Sequence, residues 1–276
     1  MKNIISVDAM GGDFGPSVII PACIDFLIRE LTFSIILVGD SDAINKALAK
    51  SKFLDKKRLL IQHATEVVGS DELPTHALRN KKDSSMRVAI NLLKEGRASA
   101  CVSAGNTGAL MATAKFVLKT IPGIDRPALL ARVPGESGSI SRLLDVGASI
   151  GSSVNQLVQF SIMGHVVAKH VGAIDSPIIA LLNVGEEDIK GNLTVKETSA
   201  ELKKLDFLNY VGYVEGNDIF TDKCDVVVTE GFAGNICLKT VEGTATMIST
   251  WLRKSLKKNI FNRFLSVFCL PILLSL

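Results

Sequence analysis

Five short segments rich in glycine and small polar residues contain the side chains best suited to chemistry. They span residues 8–13, 103–108, 145–149, 183–187 and 229–235. Glycine lets backbone N–H groups approach an anion closely, and a loop that opens into a helix adds the positive end of the helix dipole. Each segment alone could be an ordinary turn, but the five together favour a crevice that binds an anion.

The acidic residues and cysteines near these segments have other possible roles. Asp8, Asp13 and Asp145 either bind a metal or orient a substrate, or they cap the following helix, and the sequence leaves both interpretations open. The five cysteines are widely spaced without a C-x-x-C pair, which argues against a zinc site or a disulfide framework. Cys101 lies in an apolar run with no histidine nearby, so a buried inert thiol is favoured over a nucleophile.

Common catalytic signatures are missing from the sequence. The glycines at 105–108 and 147–151 do not form the G-x-G-x-x-G of a dinucleotide site, and no G-x-x-x-x-G-K-[ST] loop occurs. The H-E-x-x-H and G-x-S-x-G motifs are absent as well. His165 and His170 lie five residues apart, hence on different faces of a predicted helix, and we expect them to be structural. We therefore expect neither a cofactor nor a metal centre.

The elements that must position these segments alternate between strand and helix. Short apolar runs predict buried strands, and amphipathic stretches between them predict helices. The strands are predicted at 4–7, 34–38, 59–61, 100–102, 143–144, 178–182 and 226–228, and the helices at 83–95, 107–119, 154–170 and 194–205. Such strands suit a parallel sheet covered by helices on both faces, with its loops at the carboxyl ends of the strands. We predict one α/β domain over 1–243 and a basic, apolar helical tail over 244–276.

Composition limits the possible partners and location. The 276-residue chain is 47% hydrophobic and 5% aromatic, with a net charge of +3. Few aromatic rings and a small net charge argue against a nucleic-acid partner. Asp8 interrupts the first apolar run before a signal-peptide core could form, so a cytoplasmic protein is expected.

Taken together, the segments resemble the PlsX phosphate acyltransferases, the acyl-carrier-protein:phosphate transacylases of bacterial phospholipid synthesis. The matching stretches follow the family order: 7–13, 79–86, 103–112, 181–187 with Lys190 and Gly191, and 231–235. The resemblance implies a three-layer α/β/α fold with a mostly parallel sheet, akin to isocitrate and isopropylmalate dehydrogenases and to phosphotransacetylases, in a homodimer. It also implies that an acyl thioester on acyl carrier protein reacts with inorganic phosphate. The acyl phosphate product would then feed a glycerol-phosphate acyltransferase at the membrane.

The site residues are assigned for this implied reaction. Phosphate near neutral pH is already an anionic oxygen nucleophile, so the reaction needs no Ser–His pair. Lys190 is predicted to bind phosphate or neutralise transition-state charge, and Asn235 to donate its amide to the oxyanion. Without the resemblance, a solvated lysine and a turn-forming asparagine are the simpler interpretations. The phosphate and substrate site is assigned to Asp8, Gly11, Gly12, Ser103, Gly105, Asn106, Thr107, Gly108 and Asn183.

The sequence departs from the family pattern in three places. Ser149 stands where members commonly have asparagine, and Glu230 stands where aspartate is usual. Both changes keep a polar side chain, so we expect activity to survive them. Members also continue with a further glycine-rich stretch, so we expect this chain to be truncated relative to the family.

The C-terminal part predicts contact with a membrane. No acidic residue follows Glu242, whereas five basic residues lie among apolar ones: Arg253, Lys254, Lys257, Lys258 and Arg263. This composition is typical of a helix on an anionic membrane surface, and the alternative is a helix at a dimer interface. The apolar run 264–276 is too short to span a bilayer, so peripheral attachment is expected.

Two other functions remain open at this point. A short-chain phosphotransacetylase that uses a coenzyme A thioester would share the fold and the phosphate chemistry. A protein without catalytic activity that docks carrier protein or lipid is the second alternative.

Overall fold

The computed structural model describes residues 3–51, 55, 57–149 and 151–258. It groups the chain into two compact units, Met1–Pro127 and Ala128–Leu276. We call them unit 1 and unit 2 and describe each by itself.

Unit 1 is built on a four-stranded parallel sheet with the strand order β3-β2-β1-β4. Its strands are β1 (Asn3–Asp8), β2 (Phe33–Gly39), β3 (Leu59–His63) and β4 (Ala100–Ser103). Its helices are α1 (Pro16–Arg29), α2 (Ser41–Leu48), α3 (Pro74–Asn80), α4 (Ser85–Lys94) and α5 (Thr107–Leu118).

Both faces of this sheet are covered because successive side chains of a strand point to opposite sides. Ile35 and Leu37 pack with α1 and α2 on one face. Ile36 and Val38 pack with α4 on the other face, and α5 packs against α4. The chain therefore leaves β1 toward one face and its neighbour β4 toward the opposite face. Open α/β sheets bind ligands at such a switch point.

Unit 2 contains a five-stranded sheet with the order β5-β6-β9-β7-β8. Its strands are β5 (Leu130–Pro134), β6 (Ile140–Leu144), β7 (Ile178–Leu182), β8 (Asn209–Val214) and β9 (Val226–Val228). Its helices are α6 (Val154–His170), α7 (Leu193–Leu202) and α8 (Gly231–Lys257), with a 3₁₀ turn at Gly216–Phe220. The ladder between β5 and β6 is antiparallel, and the other ladders are parallel.

Unit 2 has its own switch point. Helices α6 and α7 pack on one face around the fully buried Phe160, and α8 packs on the other face through Cys237 and Leu238. Because α7 follows β7 and α8 follows β9, the chain leaves these two neighbouring strands toward opposite faces. The predicted α/β arrangement, with mostly parallel strands covered on both faces, is confirmed.

Six helices begin at a polar side chain that accepts a hydrogen bond from an amide of the first turn, which replaces a missing intrahelical bond. These N-caps are Asp40, Ser84, Asn106, Ser153, Asn192 and Glu230.

The predicted tail falls on α8 and on residues beyond it. The domain boundary expected at residue 243 lies inside α8, and it stays a prediction. The run 264–276 and Arg263 lie outside the described residues. Among the helices described, none combines the length and the hydropathy needed to cross a bilayer.

Candidate active site

The switch point of unit 1 brings together two of the predicted segments, 8–13 and 103–108, which we call the unit 1 loops. The sheet register places Asp8 opposite Ser103 at the carboxyl ends of β1 and β4. The Ser103 hydroxyl donates to Asp8 Oδ2 at 2.6 Å, and the amide of Met10 donates to Asp8 Oδ1 at 3.2 Å. The Gly105 amide donates to the Ser103 oxygen at 3.1 Å. The buried Asp8 therefore orients Ser103, and Ser103 in turn holds the second loop.

Gly11 shows why this arrangement requires a glycine. A Cβ atom at this position would lie 2.7 Å from Asp8 Oδ2 and 2.9 Å from the Gly105 nitrogen. Real Cβ atoms do not approach other atoms so closely, so the backbone of one loop packs directly on the polar cluster of the other.

Several backbone amides of the unit 1 loops remain available to a ligand. Within the described part of the chain, the N–H groups of Gly11, Gly12, Asn106, Thr107 and Gly108 make no hydrogen bond. The last two begin α5, whose N-terminus carries roughly half a positive charge. Unpartnered amides at a helix N-terminus are suited to an anion.

The Asn106 side chain is already engaged within unit 1. Its Oδ1 accepts from the Ala109 amide at 3.0 Å, and its Nδ2 donates to the carbonyls of Ser70 and Glu72 at 2.9 Å. Its side chain therefore positions the loop and α5, and the backbone amide of Asn106 is the group left for a ligand.

Sequence reasoning missed the segment that supports Asn106. The Glu72 carboxylate accepts hydrogen bonds from Lys81 and His76, and these bonds lower the pKa of Glu72 to about 2. Lys81 also donates to the Val67 carbonyl, which ties the turn before α3 to the start of the matched stretch 79–86. The stretch 79–86 is part of the family resemblance, but no spacing rule links it to Asn106.

In unit 2, Asn183 and Lys190 lie on one loop after β7. Asn183 Nδ2 donates to the Gly185 carbonyl at 2.9 Å and to the Lys190 carbonyl at 3.4 Å, so this side chain closes the loop. Lys190 Nζ lies 2.9 Å from Glu187 Oε2, and both side chains are about half exposed. The hydrogen bond and the charge of Glu187 raise the pKa of Lys190, which keeps the lysine cationic.

Asn235 lies on the second turn of α8 and is exposed. A Cβ atom at Gly147 would lie 3.5 Å from the Asn235 side chain, so Asn235 borders the loop after β6. Among the described residues, no hydrogen bond involves the Asn235 side-chain amide. The amide is therefore free to donate to a ligand.

Two segments that sequence reasoning counted among the anion-binding loops use their amides internally. The fully buried Asp145 Oδ1 accepts from the amides of Leu129, Gly147 and Ala148, and its Oδ2 accepts from the Ser149 hydroxyl at 2.6 Å. Asp145 does not cap the following helix α6, whose N-cap is Ser153; it holds its own loop closed. Ser149 fills the position where the family commonly has asparagine.

The amides at the start of α8 are likewise bonded to a carboxylate of the chain. Glu230 accepts from the amides of Phe232 and Ala233 at 3.1 and 2.8 Å, and from the Gly151 amide at 3.3 Å. A side chain at Gly234 would collide with the Asp145 carbonyl, so this glycine permits close packing of α8. In the segments 145–149 and 229–235, the amides of Gly147, Ala148, Phe232 and Ala233 are therefore bonded to carboxylates of the chain, which does not favour these four amides as anion donors.

A cavity of about 640 Å³ lies at the switch point of unit 2. Its lining includes Asn183, Gly191, Thr229, Glu230 and Ala233, at the carboxyl ends of β7 and β9 and on the start of α8. We call it the unit 2 cavity. Gly191 follows Lys190 in the chain, so the loop with the predicted catalytic lysine borders this cavity.

Burial shifts the pKa values of two other candidate groups, Cys101 and His165. Burial raises the pKa of Cys101, which fits the expected inert thiol. Burial, with a smaller effect of the Lys169 charge, lowers the pKa of His165. In the residues that the structure describes, no three His, Cys, Asp or Glu side chains gather in a metal-binding group.

Solved structures define the class of this fold. It is similar to the EutD phosphotransacetylase from Staphylococcus aureus, with a TM-score of 0.61 and 15% identity over 88% of this chain and 82% of that one. A branched-chain phosphotransacylase from Enterococcus faecalis V583 gives 0.55 and 14%, over 87% and 84% of the two chains. At such identities the likeness concerns the fold alone, which is the three-layer α/β/α fold of phosphotransacylases, as predicted.

Sequence comparison then gives the family. Residues 3–273 match the family model described as "Fatty acid synthesis protein". A phosphate acyltransferase from Alcanivorax borkumensis is 50% identical over 272 residues, which cover 99% of this chain and 80% of the relative. A phosphate acyltransferase from Legionella pneumophila (strain Paris) is 50% identical over 274 residues, with the same coverage. The chain belongs to the PlsX family of phosphate acyltransferases, and it is an acyltransferase.

Proposed function

We propose that this protein transfers a fatty acyl group from an acyl carrier protein thioester to inorganic phosphate. The products are acyl phosphate, used in phospholipid synthesis, and the free thiol of the carrier protein. The observation that carries the proposal is the set of unpartnered amides of Gly11, Gly12, Asn106, Thr107 and Gly108 around the Asp8–Ser103 pair.

These amides suit phosphate for two reasons. A tetrahedral anion accepts several N–H donors at once, and bonds to a charged acceptor are about twice as strong as neutral ones. Both Asp8 oxygens already accept hydrogen bonds, so Asp8 positions Ser103 rather than contacting phosphate. In this proposal Gly105 and the Asn106 side chain shape the loops, and the five free amides hold the anion.

Lys190 and Asn235 act on the charge that develops during the reaction. A phosphate oxygen attacks the thioester carbonyl carbon, the oxyanion forms, and its collapse breaks the carbon–sulfur bond and releases the thiolate. Asn235 donates its free side-chain amide to the oxyanion, an interaction typically worth about a hundredfold to a thousandfold in rate. Lys190 interacts through its positive charge with phosphate or with the transition state. Its ion pair with Glu187 then competes for the same ammonium group. Asn183 keeps Lys190 in place by closing its loop.

The assay measures acyl phosphate and free carrier-protein thiol from palmitoyl carrier protein and phosphate. We expect Lys190→Ala and Asn235→Ala to lower turnover by about a hundredfold each while the proteins stay folded. Lys204→Ala is a matched control, because Lys204 forms the same kind of exposed pair with Glu201 three residues away. Near wild-type turnover in Lys190→Ala or Asn235→Ala would remove that residue from the mechanism.

The choice of donor tests the substrate. Palmitoyl carrier protein should be used far faster than acetyl coenzyme A, and thiol release should require phosphate. The reverse preference would establish a short-chain phosphotransacetylase instead. Binding of the carrier protein without phosphate-dependent release of its thiol would indicate a docking protein.

We also propose that the protein is a cytoplasmic homodimer that attaches to anionic membrane surfaces. The support is the second half of α8, where the apolar Met247, Ile248 and Trp251 are exposed among the basic side chains of Arg253 and Lys254. Such a position next to lipid would deliver acyl phosphate to a glycerol-phosphate acyltransferase. Light scattering tests the dimer, and a monomeric mass at working concentration would refute it.

Vesicle binding tests the membrane part of the proposal. We expect sedimentation with vesicles that contain anionic phospholipid, weaker binding at high salt, and weaker binding after Arg253→Ser and Lys254→Ser. Binding unchanged by salt and by both substitutions would contradict the proposal.

A further inference from the structure

The unit 2 cavity has apolar inner surfaces. Leu157, Leu181 and Val228 line it and are each at most 2% exposed. Val195 from α7 and Cys237 from α8 line it as well, one from each face of the sheet. The cavity is therefore an open cleft with aliphatic side chains in its lining, at the switch point where ligands of open α/β sheets bind.

The polar side chains around this cavity are already bonded to backbone groups. Asn183 donates to the Gly185 carbonyl, Asn192 accepts from the Val195 amide, and Thr229 donates to the Glu230 carbonyl. Glu230 accepts from the amides at the start of α8. No lysine or arginine is among the lining residues of this described cavity. A phosphate or another anion would find no cation there, whereas a hydrocarbon chain would gain from burial.

We propose that the unit 2 cavity binds the hydrocarbon chain of the acyl donor, and that Ala233 and Cys237 set the chain length that fits. This inference rests on the proposed acyl transfer and adds a specificity site to it. Ala233 and Cys237 are four residues apart on α8, so they lie one above the other on the same side of the helix. Both are partly buried and line the cavity.

The geometry links the cavity to the predicted chemistry. Asn183 and Gly191 line the cavity and bracket the loop that carries Lys190. A chain held in the cavity would therefore extend from this loop toward the buried Leu157 and Leu181 side of unit 2.

Narrowing the cavity tests the inference through selectivity. Ala233→Leu and Cys237→Leu should each lower kcat/KM for palmitoyl carrier protein relative to octanoyl carrier protein. The expected loss is about fourfold for each methylene group that no longer fits, from the transfer free energy of a buried methylene. Thr240→Leu adds a leucine to an exposed position of the same helix and should leave the ratio unchanged. An unchanged ratio in both folded cavity variants would overturn the inference.

A second measurement does not depend on turnover. N-ethylmaleimide modifies cysteines, and peptide mass spectrometry follows each one separately. Hexadecanoic acid below its micelle concentration should slow modification of Cys237, while a cysteine introduced by Thr240→Cys at an exposed position of the same helix serves as the reference. Equal effects on the reference cysteine and Cys237, or none on Cys237, would refute the chain site. If Cys237 is protected but no acyl phosphate forms, the proposed function fails and the chain site stands.

Discussion

The two switch points share a topology but differ in the groups that they leave without a partner. In unit 1, the loops after β1 and β4 keep five amides without partners around the Asp8–Ser103 pair. In unit 2, Asp145 and Glu230 occupy the amides of the loop after β6 and of the start of α8, and an apolar cavity remains. The difference teaches that a glycine-rich strand end offers its amides to a ligand only where no carboxylate of the chain has already taken them.

The largest effect is expected from removing the acid that closes the unit 2 loop. Asp145→Ala leaves the amides of Gly147 and Ala148 and the Ser149 hydroxyl without their buried acceptor. Each orphaned group costs about 1–3 kcal/mol, so we expect the unfolding free energy to fall by about 3–5 kcal/mol in urea denaturation. The exposed Asp206→Ala should change it by less than about 0.5 kcal/mol. A loss as small as that in Asp145→Ala would mean that the loop is not held by this carboxylate.

The corresponding change in unit 1 should affect activity more than stability. Gly11→Ala places a Cβ atom against Asp8 and the Gly105 nitrogen, so the two loops must separate. We expect turnover to fall by about a hundredfold and the unfolding free energy by about 1–3 kcal/mol. Gly243→Ala has open space around its new Cβ atom and provides the control. Full activity in a folded Gly11→Ala protein would show that phosphate does not bind at these loops.

Removing the carboxylate that caps α8 should leave amides of unit 2 without partners, as in the unit 1 loops. Glu230→Ala removes the N-cap and costs about 1 kcal/mol of unfolding free energy. Inorganic phosphate should then stabilise the variant more than the wild type, because the freed amides of Phe232 and Ala233 can donate hydrogen bonds to it. Equal stabilisation of both proteins by phosphate, measured by thermal unfolding, would contradict this explanation of the difference between the units.

The smallest effect is expected on Tm from a change at Glu72, in the turn that bonds to Asn106 of the unit 1 loops. The folded pKa of Glu72 is lowered to about 2 by Lys81 and His76, so its stabilising contribution is present above its ordinary pKa of 4.5 and is lost as the pH falls toward 2. Glu72→Gln should therefore lower Tm at pH 6, and the difference from wild type should shrink by pH 3. A difference that is constant across this range would show that the bonds of Glu72 do not depend on its charge.

The element pattern of the chain was largely predictable, since long apolar and amphipathic stretches report local geometry. The runs 178–182 and 226–228 agree with β7 and β9, and the stretch 154–170 agrees with α6. β5 and β8 were missed. Both lie at the edges of the unit 2 sheet, where half-exposed residues give a weaker apolar signal. The division into two units at residue 127 was also not predicted, because composition does not change there.

By itself, the sequence determined the alternating α/β pattern, the family and the positions of the strand-end loops, because each follows from local residue order. Only the tertiary structure decided which loop amides keep no partner and where a cavity remains. Those outcomes depend on partners that are distant in sequence, such as Ser103 with Asp8, 95 residues apart, and Gly151 with Glu230, 79 residues apart. A hydrogen bond requires two groups to meet in space, and folding brings such pairs together across many residues of chain.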